Sequence, residues 1–149
     1  MSDDLTIELR HQADYRFALD FDHGRSPGVV TDLAPPLGNA AGPDPEKLLA
    51  SAVATCLSSS LLFALKKYGN EAPPLRTTAT AVLARNESKR MRVGHIDVVI
   101  DLGVPAASLK MLERTLATFE EFCVVTQSVR QGVPVNLRVV DGEGTVLAG

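Results

Sequence analysis

The feature that most constrains this fold is a run of eighteen residues without a charged side chain, from Leu48 to Leu65. Asp44 and Pro45 precede the run, and these residue types are favoured at the N-cap and at the first position of a helix. Gly69 follows it and can take the left-handed conformation that commonly ends a helix. We therefore predict one long helix from Pro45 to about Tyr68.

A run of this length lies at the lower limit for crossing a bilayer. It contains five hydroxyl residues, Ser51, Thr55 and Ser58–Ser60, so we interpret it as a buried helix of a globular protein and expect no membrane partner. Apolar and small residues surround the helix on every side, and protein should therefore cover it all round. A subunit of this size can hardly cover every face of a helix about 36 Å long without a partner, so we predict a dimer.

Apolar residues alternate with a period of two on both sides of this helix, which predicts strands. The predicted strands are residues 5–9, 17–21, 29–31, 75–85 and 91–102, and the tail from residue 133 adds a strand, a glycine turn and a short final strand. The strands come in pairs rather than alternating with helices. This order favours an α+β fold with antiparallel sheets, and we expect a single domain over residues 1–149.

A second long helix is predicted from near Pro105. Its apolar residues are spaced by three, four and three positions, at Leu109, Leu112, Leu116 and Phe119. The next step of four reaches Cys123, which therefore continues the buried stripe. Cys56 lies on the first helix, so both cysteines of the chain are expected on inward faces of helices that pack together.

Composition excludes some classes of partner and suggests a compartment. Fifteen basic and eighteen acidic residues give a formal charge of −3 without a basic run, so nucleic acid is not an expected partner. The N-terminus "MSDDLTIELRHQ" lacks the pattern of a secretory signal, and we expect a cytoplasmic protein. A permanent structural disulfide is improbable in a reducing compartment.

The two cysteines leave two interpretations open. Each is consistent with a small buried hydrophobic residue, which is the usual role of a free cysteine. Two buried thiols that meet in a reducing compartment are more often a reversible redox couple. His11, His23 and His95 show no metal-site spacing with them, and no orienting acid and histidine accompany either thiol. We predict no metal, no cofactor and no Cys–His hydrolase.

Glu46 lies in the first turn of the predicted long helix. A carboxylate there stabilises the helix dipole by about 0.3–1 kcal/mol, which is a sufficient structural explanation. Ten residues of helix place Glu46 about 15 Å along the axis from Cys56. If Glu46 serves a thiol site, either the helix bends sharply or the site belongs to the other subunit.

Two segments carry a resemblance to a known family. "GPDPEKLLASAVATC", followed about seventy residues later by "EFCVVTQSVRQGVPV", resembles the OsmC/Ohr family of osmotically inducible and organic hydroperoxide resistance proteins. The likeness covers nearly the whole chain. It implies an intertwined homodimer with two long helices at its centre and active sites at the subunit interface.

The resemblance also implies a function and residue roles. Cys56 would attack a small organic hydroperoxide, Cys123 would resolve the sulfenic acid as a Cys56–Cys123 disulfide, and Glu46 would orient an arginine near the thiolate. The reductant would be a dithiol of the lipoyl type. These roles predict a thiol-dependent peroxidase of the oxidative-stress response.

The chain departs from the family pattern at the arginine that should lower the thiol pKa. Neither the hairpin tip "HQADY" nor the loop "LAPPLGNAAGPDP" contains one, and Arg16 and Arg25 are the nearest candidates. This departure motivates an alternative function, a non-catalytic OsmC-like protein that binds an apolar small molecule or senses redox state at the dimer interface.

Overall fold

A computed structural model describes residues 4–149 and divides them into two units, which meet in sequence between Leu48 and Leu49. The first unit contains an antiparallel sheet of strands β1 (Glu8–Ala13), β2 (Arg16–Asp20) and β3 (Val29–Thr31), in that order. β3 has the bounds that we predicted. β1 begins later than predicted because Glu8 pairs with Asp20, the last residue of β2, and residues 5–7 have no partner strand within the described residues.

The loop between β3 and the long helix is organised by one buried carboxylate. Asp32 accepts hydrogen bonds from the backbone N–H groups of Leu33 at 2.8 Å, Asn39 at 3.0 Å and Ala41 at 3.1 Å. These bonds, the Ala41 bond above all, hold the pKa of Asp32 below its ordinary value, and the charge of Arg16 acts in the same direction. A proline- and glycine-rich loop thus keeps one conformation without regular secondary structure.

The long helix α1 spans Pro45–Lys67, as predicted. Asp44 Oδ1 accepts the backbone N–H of Lys47 at 2.8 Å, which is the expected N-cap bond. At the other end Gly69 takes a φ of 81°. Its N–H bonds to Lys66 O at 3.0 Å and the N–H of Asn70 bonds to Leu65 O at 3.2 Å, which together form a Schellman motif.

The second unit contains a four-stranded sheet in the order β4 (Arg76–Arg85), β5 (Met91–Asp101), β6 (Val135–Val140) and β7 (Val146–Ala148). We predicted antiparallel pairing, and this is correct for β4–β5 and β6–β7. It is wrong for β5–β6, which run parallel. The 33 residues between these two strands form a helical crossover, which is long enough to return the chain to the same end of the sheet.

One stripe of α1 packs into the core of the second unit. Its members recur every four residues and are completely buried, at Val53, Leu57, Leu61 and Leu65. They share a core cluster with three buried residues of β5, Ile96, Val98 and Ile100. The helix is therefore held to the sheet by a continuous apolar seam.

The predicted second long helix is wrong, because the structure divides that stretch into short pieces. These are a 3₁₀ turn at Ala106–Ser108, α2 at Leu112–Thr118, a 3₁₀ turn at Phe119–Phe122 and α3 at Val124–Val129. The predicted burial is nevertheless correct: Phe119 and Cys123 lie in the core cluster, with Leu109, Leu112 and Leu116 packed against it. The two long central helices of our prediction are thus one long helix, α1, and a segmented crossover.

A contact distant in sequence explains the break before α2. Asn70 Nδ2 donates to Lys110 O at 3.0 Å, and Asn70 Oδ1 accepts the N–H of Lys110 at 2.7 Å. Both backbone groups of Lys110 are therefore bonded to a side chain from the end of α1 instead of to a helical turn. Met111 then adopts a left-handed conformation, with φ 56°, and α2 begins at Leu112.

The opposite face of α1 is exposed in the part of the chain that the structure describes. Phe63 is 74% exposed, and Ser51, Thr55 and Ser59 are exposed on the same side. α1 also has the length and composition of a membrane span, with a mean hydropathy of 2.0 over an eighteen-residue window of which 28% is buried. Core helices of globular proteins meet the same criterion, and the seam with β5 agrees with our interpretation of a core helix.

Candidate functional site

The two cysteines meet in the second unit and form a disulfide, Cys56–Cys123, with their Cα atoms 5.8 Å apart. Cys56 lies in the middle of α1 and is partly buried against the core cluster. Cys123 is 1% exposed. The pairing that the family resemblance implies is thus present, and Cys56 is the more exposed of the two residues.

Cys123 does not lie in a helix, as we had predicted, but in a short extended break, with φ −84° and ψ 94°. Its N–H bonds to Glu120 O at 3.1 Å, and its C=O accepts the N–H of Gln127 at 3.0 Å. Gln127 Nε2 donates to the same Glu120 carbonyl at 3.0 Å. The break is therefore fixed from both sides, and three β-branched residues follow it, which are weak helix formers.

A hydroxyl contacts the buried sulfur directly. Thr126 Oγ1 lies 3.0 Å from Cys123 Sγ, and Thr126 is completely buried. A disulfide sulfur carries no proton, so in this structure the Thr126 hydroxyl is the donor. Our sequence analysis assigned no role to Thr126, although its position three residues after Cys123 was visible as part of the family motif.

Arg130 braces the segment that carries Cys123. Its Nη2 donates to Glu120 Oε1 at 2.7 Å, and its Nε and Nη2 donate to Val135 O at 3.3 and 3.1 Å. The guanidinium thereby joins the turn before Cys123 to the first residue of β6. These bonds make Arg130 a structural brace of the segment that carries Cys123.

The two arginines that we considered as activators lie in the first unit and differ in their surroundings. Arg16 is partly buried, its Nε is buried without a hydrogen-bond partner among residues 4–149, and its charge acts on Asp32. Arg25 is exposed in the turn after β2, where its backbone N–H supports the Asp22 carboxylate. The activation of Cys56 by either arginine stays a prediction.

Glu46 lies in the first turn of α1 and is partly buried. α1 is an uninterrupted helix over Pro45–Lys67, so a sharp bend between Glu46 and Cys56 is not observed. Of the two explanations that we considered for a role of Glu46, the remaining one places it at the site of a partner subunit. That role stays a prediction.

An apolar groove of about 470 Å³ runs beside the cysteine-bearing segments. Its lining comes from the second half of α1 and from the crossover: Ser59, Ser60, Phe63, Ala64, Lys67, Tyr68, Thr118, Phe119 and Phe122. Ser60 lies one helical turn after Cys56, and Phe122, which is 76% exposed, directly precedes Cys123. Its volume is within the range of small-molecule sites.

The histidines do not assemble a metal site in the part of the chain that the structure describes. Within residues 4–149, no group of three or more His, Cys, Asp or Glu side chains is placed to hold a metal ion. His95 Nε2 lies 3.3 Å from Asp97 Oδ2 on the exposed sheet surface. His11 Nε2 lies 2.8 Å from Asp14 O at the first hairpin.

Comparison with known proteins identifies the family. The model of the family described as OsmC-like protein matches residues 38–138, about two thirds of the chain. No curated protein matches the sequence significantly.

Solved structures show the same fold. The chain is similar to an OsmC-like protein from Mycoplasma pneumoniae (TM-score 0.73, 15% identity, 95% of this chain and 99% of that one). It is also similar to an organic hydroperoxide resistance protein from Elizabethkingia anophelis (TM-score 0.68, 16% identity, 95% of this chain and 99% of that one). A third similar structure is the organic hydroperoxide resistance protein OhrB of Bacillus subtilis (TM-score 0.62, 20% identity, 91% of this chain and 97% of that one). Because the family model matches about two thirds of the chain, the chain belongs to the OsmC-like family.

Proposed function

We propose that this protein is a cytoplasmic thiol peroxidase that reduces small organic hydroperoxides. The observation that carries the proposal is the pairing of a partly accessible cysteine in the middle of α1 with a buried cysteine, Cys56 with Cys123. Such a pair separates the two tasks of the reaction. The accessible sulfur meets the peroxide, and the buried sulfur reacts only through its partner.

The chemistry is balanced without a cofactor. The Cys56 thiolate attacks the terminal oxygen of the hydroperoxide, the O–O bond breaks, and the departing alkoxide takes a proton to become the alcohol. Cys56 then carries a sulfenic acid. The Cys123 thiolate attacks the Cys56 sulfur, and hydroxide leaves as water after protonation. A dithiol reductant restores both thiols and becomes a disulfide itself.

Steady-state reduction of cumene hydroperoxide with dihydrolipoamide as electron donor tests this function. We expect turnover by the wild type, none above background by Cys56→Ser, and no change in Ser88→Ala, an exposed turn variant that controls for handling. Full activity in Cys56→Ser would refute the assignment.

The resolving role of Cys123 has a separate readout. Cys123→Ser should complete one turnover and stop at the sulfenic acid, because no second thiol is present to condense with it. Intact-mass analysis after excess peroxide should then show stepwise addition of oxygen to Cys56. Sustained turnover by this variant at the wild-type rate would contradict the role.

The groove supports a second candidate, a non-catalytic protein that binds an apolar small molecule or senses redox state. Exposed aromatic residues on a groove of about 470 Å³ are typical of ligand sites. Titration with a fluorescent apolar probe, monitored for quenching, tests binding. Tight binding by the wild type and by Cys56→Ser, together with absent peroxide turnover in both, would favour this candidate over the peroxidase.

We also propose that the protein works as a homodimer. The exposed face of α1, which carries Phe63 near its C-terminal end, is the surface that a second copy would cover, and we expect Glu46 to serve a partner's site because α1 has no bend. Light scattering at micromolar concentration should give the mass of two chains. Phe63→Glu should shift the mass toward one chain, because a buried charge without a partner is costly, whereas a wild-type monomer would refute the proposal.

A further inference from the structure

We propose that Thr126 makes Cys123 the leaving group when the disulfide is reduced, so that the incoming reductant forms its mixed disulfide with Cys56. The inference deepens the proposed function and rests on the same Cys56–Cys123 pair. It assigns a direction to the reductive half of the cycle. It also gives a role in the reaction to a residue outside the cysteine pair.

Accessibility is the first argument. A thiolate must approach one sulfur of a disulfide in line with the S–S bond, so the reachable sulfur is the one attacked. Cys123 is 1% exposed, whereas Cys56 is only partly buried. Within the second unit, the reductant therefore has access to Cys56 and not to Cys123.

Stabilisation of the departing thiolate is the second argument. The Thr126 hydroxyl lies 3.0 Å from Cys123 Sγ and is completely buried. A hydrogen bond to an ionised acceptor is about twice as strong as one to a neutral acceptor. Thr126 O–H therefore stabilises the Cys123 thiolate more than the disulfide sulfur, which lowers the barrier to its departure.

The asymmetry between the two sulfurs strengthens this argument. Across the described part of the second unit, no side chain donates a hydrogen bond to Cys56 Sγ. Cys123, by contrast, is held by Glu120 and Gln127 through its backbone, and the bond from Arg130 N–H to Thr126 O, 2.9 Å long, keeps the first turn of α3 in place. The donor is therefore pre-positioned before the thiolate appears.

Reduction of the disulfide takes two thiol–disulfide exchanges, and the dithiol is the only reductant needed. One thiolate of a dithiol attacks Cys56 Sγ, the S–S bond to Cys123 breaks, and Cys123 departs as a thiolate that accepts the Thr126 hydrogen bond. The second thiolate of the reductant then attacks its own sulfur in the mixed disulfide. Cys56 is released as a thiolate and the reductant leaves as a cyclic disulfide, having supplied two electrons.

Chemical labelling shows which of the two sulfurs the reductant attacks. Purified protein is oxidised with diamide, mixed briefly with glutathione, quenched in acid, alkylated with N-ethylmaleimide and mapped by peptide mass spectrometry. We expect glutathione on the Cys56 peptide and maleimide on the Cys123 peptide. Glutathione on Cys123, or equal labelling of both cysteines, would overturn the proposal.

A matched pair of variants tests the hydroxyl. Thr126→Val keeps the shape and removes the donor, and Thr126→Ser keeps the donor. For reduction of the diamide-oxidised proteins by dithiothreitol, we expect a rate constant about tenfold lower in the valine variant and within about twofold of wild type in the serine variant. Equal rates in all three proteins would overturn the role of Thr126, and the wild-type peptide map decides the direction even if a variant does not fold.

Failure of this inference is distinguishable from failure of the proposed function. If the disulfide forms with diamide but not with a hydroperoxide, the peroxidase assignment fails and the direction of reduction is still measured. If diamide produces no Cys56–Cys123 disulfide, both proposals are wrong.

Discussion

Reduction of the Cys56–Cys123 disulfide should lower the free energy of unfolding by several kcal/mol. The two cysteines are 67 positions apart in sequence, so the bond closes a loop that includes most of the second unit. In the chain-entropy model, closing a loop of that size is worth about 4 kcal/mol. For a chain of this length, that corresponds to a change in Tm of about 8–16 °C.

The native contacts should contribute little to this difference. Cys123 belongs to the core cluster, and Cys56 packs against it, so the two side chains stay in apolar surroundings when they are thiols. The effect is therefore expected to come mainly from the unfolded chain, which the bond makes less free.

The assay is urea unfolding of one preparation in two states, oxidised with diamide and reduced with excess phosphine. We expect the transition midpoint of the oxidised protein at higher urea. Cys123→Ser, treated in the same two ways, is the control and should show no difference between them. A difference below about 1 kcal/mol in the wild type, or a more stable reduced form, would refute the reasoning, since it would fall outside the usual range for a long loop.

Two further predictions concern the scaffold of the site. Asn70→Ala removes three hydrogen bonds, one to Leu65 O and two to the backbone of Lys110, and should lower the free energy of unfolding by about 2–3 kcal/mol. The matched Asn136→Ala, which loses one exposed bond to Asp97, should lower the free energy of unfolding by less than about 1 kcal/mol. Equal losses in the two variants would contradict a stabilising role of the Asn70 bonds, which we call the Asn70 clamp. Asp141→Asn should lower the Tm at pH 7, because backbone N–H groups, Thr145 first, hold the pKa of the Asp141 carboxyl below its ordinary value.

The sign of the pH dependence follows from that shift. A carboxyl whose pKa is lower in the folded protein contributes stability above its unfolded pKa, about 4, and loses it as the pH falls through the folded value. The Tm difference between wild type and Asp141→Asn should therefore be largest near neutrality and shrink toward pH 3. A difference independent of pH would show that the charge of Asp141 does not matter.

Local signals were predictable from the sequence because their physics acts within a few residues. Asp44 caps the backbone three residues ahead of it, and Gly69 accepts a positive φ because it has no Cβ. The turn at residues 86–89 likewise lies between the predicted strands 75–85 and 91–102, with Asn86 Oδ1 accepting the N–H of Arg90 at 3.0 Å. These elements agree with the prediction because no distant contact competes with them.

The second helix was not predictable in the same way. Its apolar spacing identified the buried side chains correctly, since burial depends on which residues are apolar and how they repeat. The break before Met111 depends on the bonds from Asn70 to Lys110, 40 residues apart in sequence. A stretch of sequence as long as one helix does not contain both Asn70 and Lys110. The parallel direction of β6 was not predicted because β6 pairs with β5 across the 33-residue crossover.

For the candidate site, the sequence by itself determined the pair of cysteines and the apolar surroundings of both, because spacing along α1 and the crossover is a local property. Only the tertiary structure decided that Cys123 lies in an extended break, bonded to Glu120 and contacted by the Thr126 hydroxyl. It also decided that Cys56 is the more exposed of the two cysteines. The physical reason is that exposure and hydrogen-bond partners of a sulfur depend on how the crossover folds back onto α1, and that path is set by long-range bonds such as the Asn70 clamp.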